Sequence, residues 1–156
     1  MSEKILIPLD GSKVGETALP YIEELVTKFK ASTKVEVTLI QVVSLLTHYV
    51  AAGEIMTPIP YSEVELDQIK KQALAYLTEA GKSLKSKKIT VNIRIEVGSA
   101  AEEIIKVADD LDVDFIAMST HGRSGISRWA FGSVTDKVLR AGHKPVIVVR
   151  VPREKN

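Results

Sequence analysis

The chain has 156 residues, of which 45% are hydrophobic and 26% are charged, a balance typical of a folded domain with its own core. The formal net charge of +1, from 21 Lys and Arg against 20 Asp and Glu, argues against general attraction to nucleic acid or anionic membranes. The absence of cysteine excludes disulfides, thiolate catalysis and cysteine-ligated metals.

The sequence contains no apolar stretch of the length that export or membrane insertion requires. The N-terminal apolar run that ends at Leu9 is too short for a signal core, and no segment approaches the roughly 18 apolar residues of a membrane span. No internal repeat or linker divides the sequence. We therefore predict a cytoplasmic protein with a single domain over residues 1–156 and no membrane partner.

Five strands are predicted from runs of apolar residues. Four of them, at 4–9, 35–43, 113–119 and 146–151, are continuously apolar and are expected to be buried on both faces. The strand at 89–97 alternates apolar and polar residues, which predicts an edge strand with one face in solvent.

Helical periodicity connects these strands. The first helix follows an N-cap at Ser12 and contains Pro20, which predicts either a kink or a later start. Apolar stripes at 69–84, 104–108 and 134–139 predict three more helices. The alternation of strands and helices predicts an α/β fold, an open, doubly wound parallel sheet with ligands at the carboxyl ends of the strands.

The longest connection, at 44–60, shows no clear period and is predicted as a loop. Its apolar content fits a lid or a partner surface over the strand ends. A loop folded back on its own domain would have the same composition, so both interpretations stay open.

Three strand ends carry the candidate binding residues, which are Asp10, the segment 42–44 and the loop 119–122. A nucleotide fits the place where these ends meet. Asp10 either accepts a hydrogen bond from ribose, adenine or a metal-bound water, or only starts a turn with Gly11 and Ser12.

The loop after the fourth strand combines small residues, hydroxyl groups and cations, namely Gly122, Arg123, Arg128, Gly132, Ser133 and Thr135. Glycines allow a close backbone approach, and a helix N-terminus attracts anions. The arginines are suited to phosphate oxygens. The pattern predicts a phosphate cradle, although a plain turn and N-cap would use the same residues.

Other residues of this loop and several absent motifs narrow the chemistry. His121 is either an acid or base or a structural residue, and Trp129 and Phe131 either stack on a base or pack in the core. The lysines at 82–88 are interpreted as a solvated face and not as a nucleic-acid patch. The sequence contains neither a Walker A, a Gly-x-Gly-x-x-Gly nor a Gly-x-Ser-x-Gly motif, nor a His/Glu cluster at metal spacing, so no catalytic or metal-ligating residue is assigned.

The pattern of Gly122, nine further residues and then Gly132-Ser133 resembles the universal stress protein family, specifically its ATP-binding branch. Asp10 after the first strand and Val42 near the end of the second strand contribute to the likeness, which spans nearly the whole chain. In the family motif Gly-x-x-Gly-9x-Gly-Ser/Thr, the first glycine falls on Ser119. A serine preserves the loop if this position needs neither a left-handed φ nor a bare backbone.

The resemblance implies a Rossmann-like, adenine nucleotide alpha hydrolase-like sheet of order 3-2-1-4-5, with helices on both faces. It also implies that ATP lies across the strand ends, with Mg²⁺ or Mn²⁺ held through its phosphates. The site residues that it implies are Pro8, Asp10, Val42, Met118, Ser119, Gly122, Gly132, Ser133, Val134 and Thr135, with His121 and Arg123 as neighbours in the loop.

Family members commonly dimerise through the last strand, so the resemblance implies a homodimer through the strand from Val146 to Val151. The implied function is a nucleotide-dependent stress-response regulator that acts on an unknown downstream protein, with slow ATP hydrolysis at most. Two alternatives stay open: an interaction module that does not bind ATP, which Ser119 favours, and a slow ATPase or adenylate-processing enzyme that uses His121.

Overall fold

The computed structural model describes the backbone of residues 1–52, 55–84, 86, 88–120 and 132–151, and the side chains of all of these except 46–58. In chain order the elements are β1 Ser2–Pro8, a 3-10 helix Gly15–Thr17, α1 Ala18–Thr27, β2 Lys34–Val43, β3 Leu46–Ala52, β4 Ile55–Pro60, α2 Glu63–Gly81, a 3-10 helix Lys82–Leu84, β5 Ile89–Val97, α3 Ala100–Asp110, β6 Phe115–Thr120, α4 Ser133–Ala141 and β7 Val146–Arg150. Among the helices of these ranges, none has both the length and the apolar character needed to cross a membrane.

Five strands form one parallel sheet in the order β5-β2-β1-β6-β7. Helices α1 and α2 pack on one face, and α3 and α4 pack on the other. The predicted class, an open doubly wound α/β sheet, is confirmed. The order differs from the predicted 3-2-1-4-5 in its numbers, because two strands that the sequence did not predict, β3 and β4, precede β5 in the chain.

The central strand β1 is buried because its alternate side chains enter two separate cores. Ile5 and Ile7 pack against the α1 and α2 layer, whereas Leu6 packs against the α3 and α4 layer. All three side chains are fully buried, and such burial stabilises the fold by roughly 1.5–3 kcal/mol per side chain. This anchoring holds the loop after β1 in a fixed position at the carboxyl edge of the sheet.

The two edge strands differ in how they match the sequence. Strand β5 lies at one edge and alternates half-buried and exposed side chains over most of its length, so the edge prediction for 89–97 is confirmed. Strand β7 lies at the other edge, and Val146–Val149 are only half-buried. The prediction that 146–151 is buried on both faces is therefore wrong, because an edge strand has a neighbouring strand on one side only.

The segment 44–60, predicted as a loop, contains the antiparallel hairpin of β3 and β4. That prediction is wrong about the backbone. Pro58 and Pro60 lack an N–H donor, which argues against strands inside a sheet, but a two-stranded hairpin has only edge strands, whose outer positions need no partner. The role of this hairpin as a lid or partner surface stays a prediction.

Helix α1 begins later than an N-cap at Ser12 implies. Pro20 is the third residue of α1, where the backbone nitrogen has no intrahelical acceptor, so the predicted alternative of a later start is confirmed. The N-cap assignment of Ser12 is wrong, because Ser12 Oγ accepts a hydrogen bond from the Gly15 N–H at 3.1 Å and stabilises the preceding turn instead. The other three predicted helices correspond to α2, α3 and α4.

Helix α2 begins with a complete capping box. Ser62 Oγ accepts a hydrogen bond from Glu65 N at 3.3 Å, and Glu65 Oε2 accepts one from Ser62 N at 2.8 Å. We expect Ser62→Ala to lower the free energy of unfolding by about 1 kcal/mol. Ser99→Ala is the matched control, because Ser99 is the N-cap of α3 but makes no side-chain cap bond. Urea denaturation measures both variants, and equal losses would contradict the role of the capping box.

Asp112 lies between α3 and β6 and makes a contact that depends on its negative charge. Its backbone is left-handed, with φ 48°, and its carboxylate hydrogen-bonds to Lys144. This hydrogen bond, reinforced by the lysine charge, lowers the pKa of Asp112 below its ordinary value of 3.8. The stabilisation is therefore complete above pH 3.8 and is lost as the pH falls through the lowered pKa.

Asp112→Asn tests this contact, because asparagine tolerates the left-handed backbone but carries no charge. We expect the variant to have a lower Tm than the wild type at pH 7 and the difference to shrink below about pH 4. Thermal denaturation from pH 2 to pH 7 measures the difference. A Tm difference that stays constant across this range would rule out the charge contribution.

Candidate functional site

The carboxyl ends of β1 and β6 lie side by side where the connections of the sheet change face. The chain passes from β1 to β2 through α1 on one face, and from β5 to β6 through α3 on the other. Doubly wound folds commonly bind ligands in the crevice at such a switch point. Asp10 follows β1 and Ser119 lies near the end of β6, so both residues border this edge.

Asp10 organises the turn after β1. Its Oδ1 accepts hydrogen bonds from Ser12 N at 2.9 Å and from Ser12 Oγ at 2.5 Å. Gly11, at φ 86°, supplies the left-handed conformation of this turn, so the predicted turn role of Asp10 is confirmed. Asp10 is exposed, and within the described ranges no hydrogen bond engages its second oxygen, Oδ2. That oxygen is therefore accessible to a ligand.

Gly15 packs directly against the Asp10 carboxylate, a contact that sequence reasoning missed. A Cβ atom at Gly15 would lie 2.8 Å from Asp10 Oδ1 and 3.4 Å from Ser12 Oγ. The first distance is shorter than van der Waals contact, so only glycine fits without moving the carboxylate. The one clue in the sequence is a second glycine four residues after Gly11.

Ser119 connects the end of β6 to the start of α1. Its Oγ donates a hydrogen bond to Gly15 O and accepts one from Ala18 N, both at 2.9 Å. Among the described residues other than glycine, only Asp112 has a positive φ, so Ser119 adopts an ordinary backbone conformation. The serine therefore replaces the first glycine of the motif without a left-handed φ.

Tyr76 on α2 is a second residue that sequence reasoning missed. Its hydroxyl oxygen is buried and makes no hydrogen bond of ordinary geometry to the described residues. Burial raises the pKa of Tyr76, and the nearby carboxylates of Glu16 and Asp10 raise it further. A neutral phenol therefore lies beside the turn after β1. Tyr76 did not belong to the predicted apolar stripe of α2, so the sequence gave no sign of this position.

The N-terminus of α4 faces the same edge, because α4 runs back between the parallel strands β6 and β7. Gly132 is its N-cap, with φ −57° and ψ 154° and no side-chain cap bond. A Cβ atom at Gly132 would meet no described atom within 4 Å. Ser133 is exposed, whereas Thr135 is buried, so only the first of these hydroxyl residues lies at the surface.

The other predicted site residues fall into two groups. Pro8 ends β1, Val42 lies near the end of β2, and Met118 is buried in β6 beside the α3 and α4 layer. Val42 and Val134 are partly buried against the same layer. The loop residues His121, Gly122, Arg123, Arg128, Trp129 and Phe131 lie outside the described residues.

In the part of the chain that is described, no group of three or more His, Asp or Glu side chains is arranged to hold a metal ion.

A parallel sheet with a turn carboxylate and a helix N-terminus at its switch point defines a doubly wound α/β domain. The family model described as "Universal stress protein family" matches residues 1–150. The chain belongs to the universal stress protein family.

Individual relatives agree with this assignment. Universal stress protein MJ0577 of Methanocaldococcus jannaschii is 30% identical over 159 residues, which cover 96% of each chain. A solved structure of hypothetical protein MJ0577 covers 97% of this chain and 98% of its own, with 28% identity and a TM-score of 0.72. A universal stress protein solved in complex with cAMP covers 95% of this chain and 96% of its own, with 19% identity and a TM-score of 0.60, and shares the fold.

Proposed function

We propose that this universal stress protein is an ATP-binding regulatory module in which the nucleotide lies across the carboxyl ends of β1 and β6. One observation carries the proposal: an exposed carboxylate, Asp10, and an open helix N-terminus, at Gly132 and Ser133, border the same sheet edge. A carboxylate oxygen accepts hydrogen bonds from ribose hydroxyls or the adenine amine. The α4 N-terminus, whose first N–H groups have no acceptor within the helix, attracts phosphate.

The two ends of the nucleotide would contact different strands. Asp10 and the backbone around Pro8 and Val42 hold the adenine and ribose. The phosphate end is assigned to Met118, Gly122, Gly132, Ser133, Val134 and Thr135 and to the backbone of Ser119, whose Oγ is already bonded to Gly15 O and Ala18 N, with His121 and Arg123 beside them in the loop. The lack of any described atom within 4 Å of a Cβ at Gly132 supports this assignment, because a phosphate group needs room next to the N–H groups that bind it.

A divalent ion, Mg²⁺ or Mn²⁺, would be held through the phosphates and would neutralise part of their charge. No protein ligand to the ion is assigned; the N-terminus of α4 would hold the phosphates that bind it. We assign no catalytic residue. Hydrolysis is expected to be slow at most, because the Oδ1 atom of Asp10 is occupied by its turn and backbone donors alone do not activate water.

The similarity of this chain to other universal stress proteins supports nucleotide binding but does not specify the nucleotide. A universal stress protein of the same fold was solved in complex with cAMP, which is an adenine nucleotide. We extend this chemistry to ATP in the present chain. We also propose a cytoplasmic location. We further propose a homodimer through the strand from Val146 to Val151, since β7 offers half-buried valines and an outer edge that no described strand covers. The nucleotide would then control the binding of a downstream protein.

Calorimetric titration tests the proposal. The purified protein is stripped of nucleotide and titrated with ATP and Mg²⁺, with GTP as the control for base selectivity and EDTA as the control for the metal. We expect saturable binding of ATP that is at least about tenfold tighter than that of GTP, equivalent to one or two discriminating hydrogen bonds. The absence of ATP binding would contradict the proposal and would favour an interaction module without a nucleotide.

A further inference from the structure

We propose that Ser119 is a positioning residue that holds the Asp10 carboxylate at a set distance from the carboxyl end of β6, so that the site selects ligands carrying both a ribose and phosphates. The inference rests on the proposed function, because it assigns a role within the same site. Its basis is a continuous series of hydrogen bonds between residues that lie about a hundred positions apart in the chain.

The series, here called the Asp10–Ser119 relay, has five members. Asp10 Oδ1 accepts from Ser12 Oγ at 2.5 Å, and Ser12 Oγ accepts from Gly15 N at 3.1 Å. Gly15 O accepts from Ser119 Oγ at 2.9 Å, and Ser119 Oγ accepts from Ala18 N at 2.9 Å. The Gly15 N–H therefore bonds to Ser12, which bonds to the carboxylate. The Gly15 carbonyl bonds to Ser119 near the end of β6.

The relay supplies an acceptor at the start of α1. Ala18 is the first residue of α1, and its N–H has no acceptor within α1, although it also contacts Glu16 O in the preceding turn. The N-cap residue Thr17 makes no side-chain cap bond, so Ser119 supplies the acceptor from a different strand. Ala18 is fully buried, which makes the loss of the Ser119 acceptor from its N–H unfavourable. A glycine or alanine in place of Ser119 would remove this acceptor.

A shift of the Gly15 backbone would move the Asp10 carboxylate, because Gly15 packs closely against it. The position of a Cβ atom there lies 2.8 Å from Asp10 Oδ1, so the backbone of Gly15 and the carboxylate are in close contact. When Ser119 Oγ is removed, Gly15 loses its anchor to β6. The carboxylate then keeps its turn but no longer keeps a fixed distance from the end of β6.

Three single variants, one double variant and two ligands test the inference. Ser119→Ala removes the β6 end of the relay, Ser12→Ala removes its centre, and Ser119→Thr retains the hydroxyl as a conservative control. Dissociation constants are measured by calorimetry for MgATP and for inorganic triphosphate with Mg²⁺. Triphosphate carries the phosphates without the ribose that Asp10 would contact.

We expect Ser119→Ala to weaken MgATP binding about fivefold to tenfold, the equivalent of one hydrogen bond, and to leave triphosphate binding unchanged. Ser119→Thr should bind both ligands as the wild type does. The Ser12→Ala, Ser119→Ala double variant should also lose only about tenfold, because both changes interrupt one relay. A merely structural role would lower Tm but would not separate the two ligands.

Failure of the relay and failure of the proposed function would give different results. Losses that multiply to about 25-fold or more in the double variant, or equal losses for ATP and triphosphate, would overturn the relay and leave the proposed function intact. A wild-type protein that binds no ATP would overturn the proposed function itself. If Ser119→Ala does not fold, amide exchange in the wild type decides: ATP should slow exchange at Ser12, Gly15 and Ala18 together, and slowing at Ser12 alone would overturn the inference.

Discussion

Replacing Gly132 with valine is expected to weaken MgATP binding by about 10- to 100-fold, the usual effect of forcing a larger side chain into an occupied space. Gly132 is the N-cap of α4, and no described atom lies within 4 Å of the position its Cβ would take. Under the proposed function, the phosphates occupy that space. A valine would therefore exclude the ligand without meeting protein atoms that the structure describes.

The fold of this variant is expected to survive. The φ of Gly132 is −57°, which valine adopts without strain, so we expect a loss of only about 1 kcal/mol from a poorer N-cap. Ser99→Val is the matched control, because Ser99 is the N-cap of α3 and also makes no side-chain cap bond. Calorimetry and urea denaturation are run on both variants. Unchanged ATP affinity in folded Gly132→Val would show that the phosphate assignment is wrong.

The largest loss of stability is expected from Leu77→Ala, which should lower the free energy of unfolding by about 2–5 kcal/mol. Leu77 lies on the inner face of α2, is fully buried and belongs to the core between α1, α2 and the sheet. Truncation removes apolar burial and leaves a cavity that the neighbouring strands cannot fill completely. Urea denaturation with an unchanged m-value would measure this loss.

Leu74→Ala is the matched control for Leu77→Ala. The two leucines lie one turn apart on α2, but Leu74 is 50% exposed whereas Leu77 is 0% exposed. The same chemical change should therefore lower the free energy of unfolding by less than about 1 kcal/mol at position 74. Similar losses in the two variants would contradict the assignment of the buried face of α2.

The fold could be predicted from the sequence wherever the apolar pattern was long and regular. The strand at 89–97 was recognised as an edge because its alternation is strict, and Pro20 correctly indicated a late start for α1. The hairpin at 46–60 was missed because Pro58 and Pro60 are unfavourable in most strands. The burial of β7 was overestimated because an apolar run looks the same in a central strand and in an edge strand.

The candidate site was predicted in part. Asp10, Ser119, Gly132 and Ser133 lie at the expected sheet edge, since parallel strands joined by helices bring their carboxyl ends together. The close packing of Gly15 and the buried hydroxyl of Tyr76 had no sequence pattern to reveal them. Both features depend on the distance between elements and not on the spacing of residues within an element.

By itself the sequence determined the α/β class, the apolar faces of the helices and the small-residue motif that resembles the universal stress protein family. These are local properties, because periodicity and turn chemistry act over a few residues. Only the tertiary structure decided what Ser119 does: its hydroxyl bonds Ala18 and Gly15, which lie 101 and 104 positions away. A contact of that separation exists only after the sheet has placed β6 beside β1, so no local pattern encodes it.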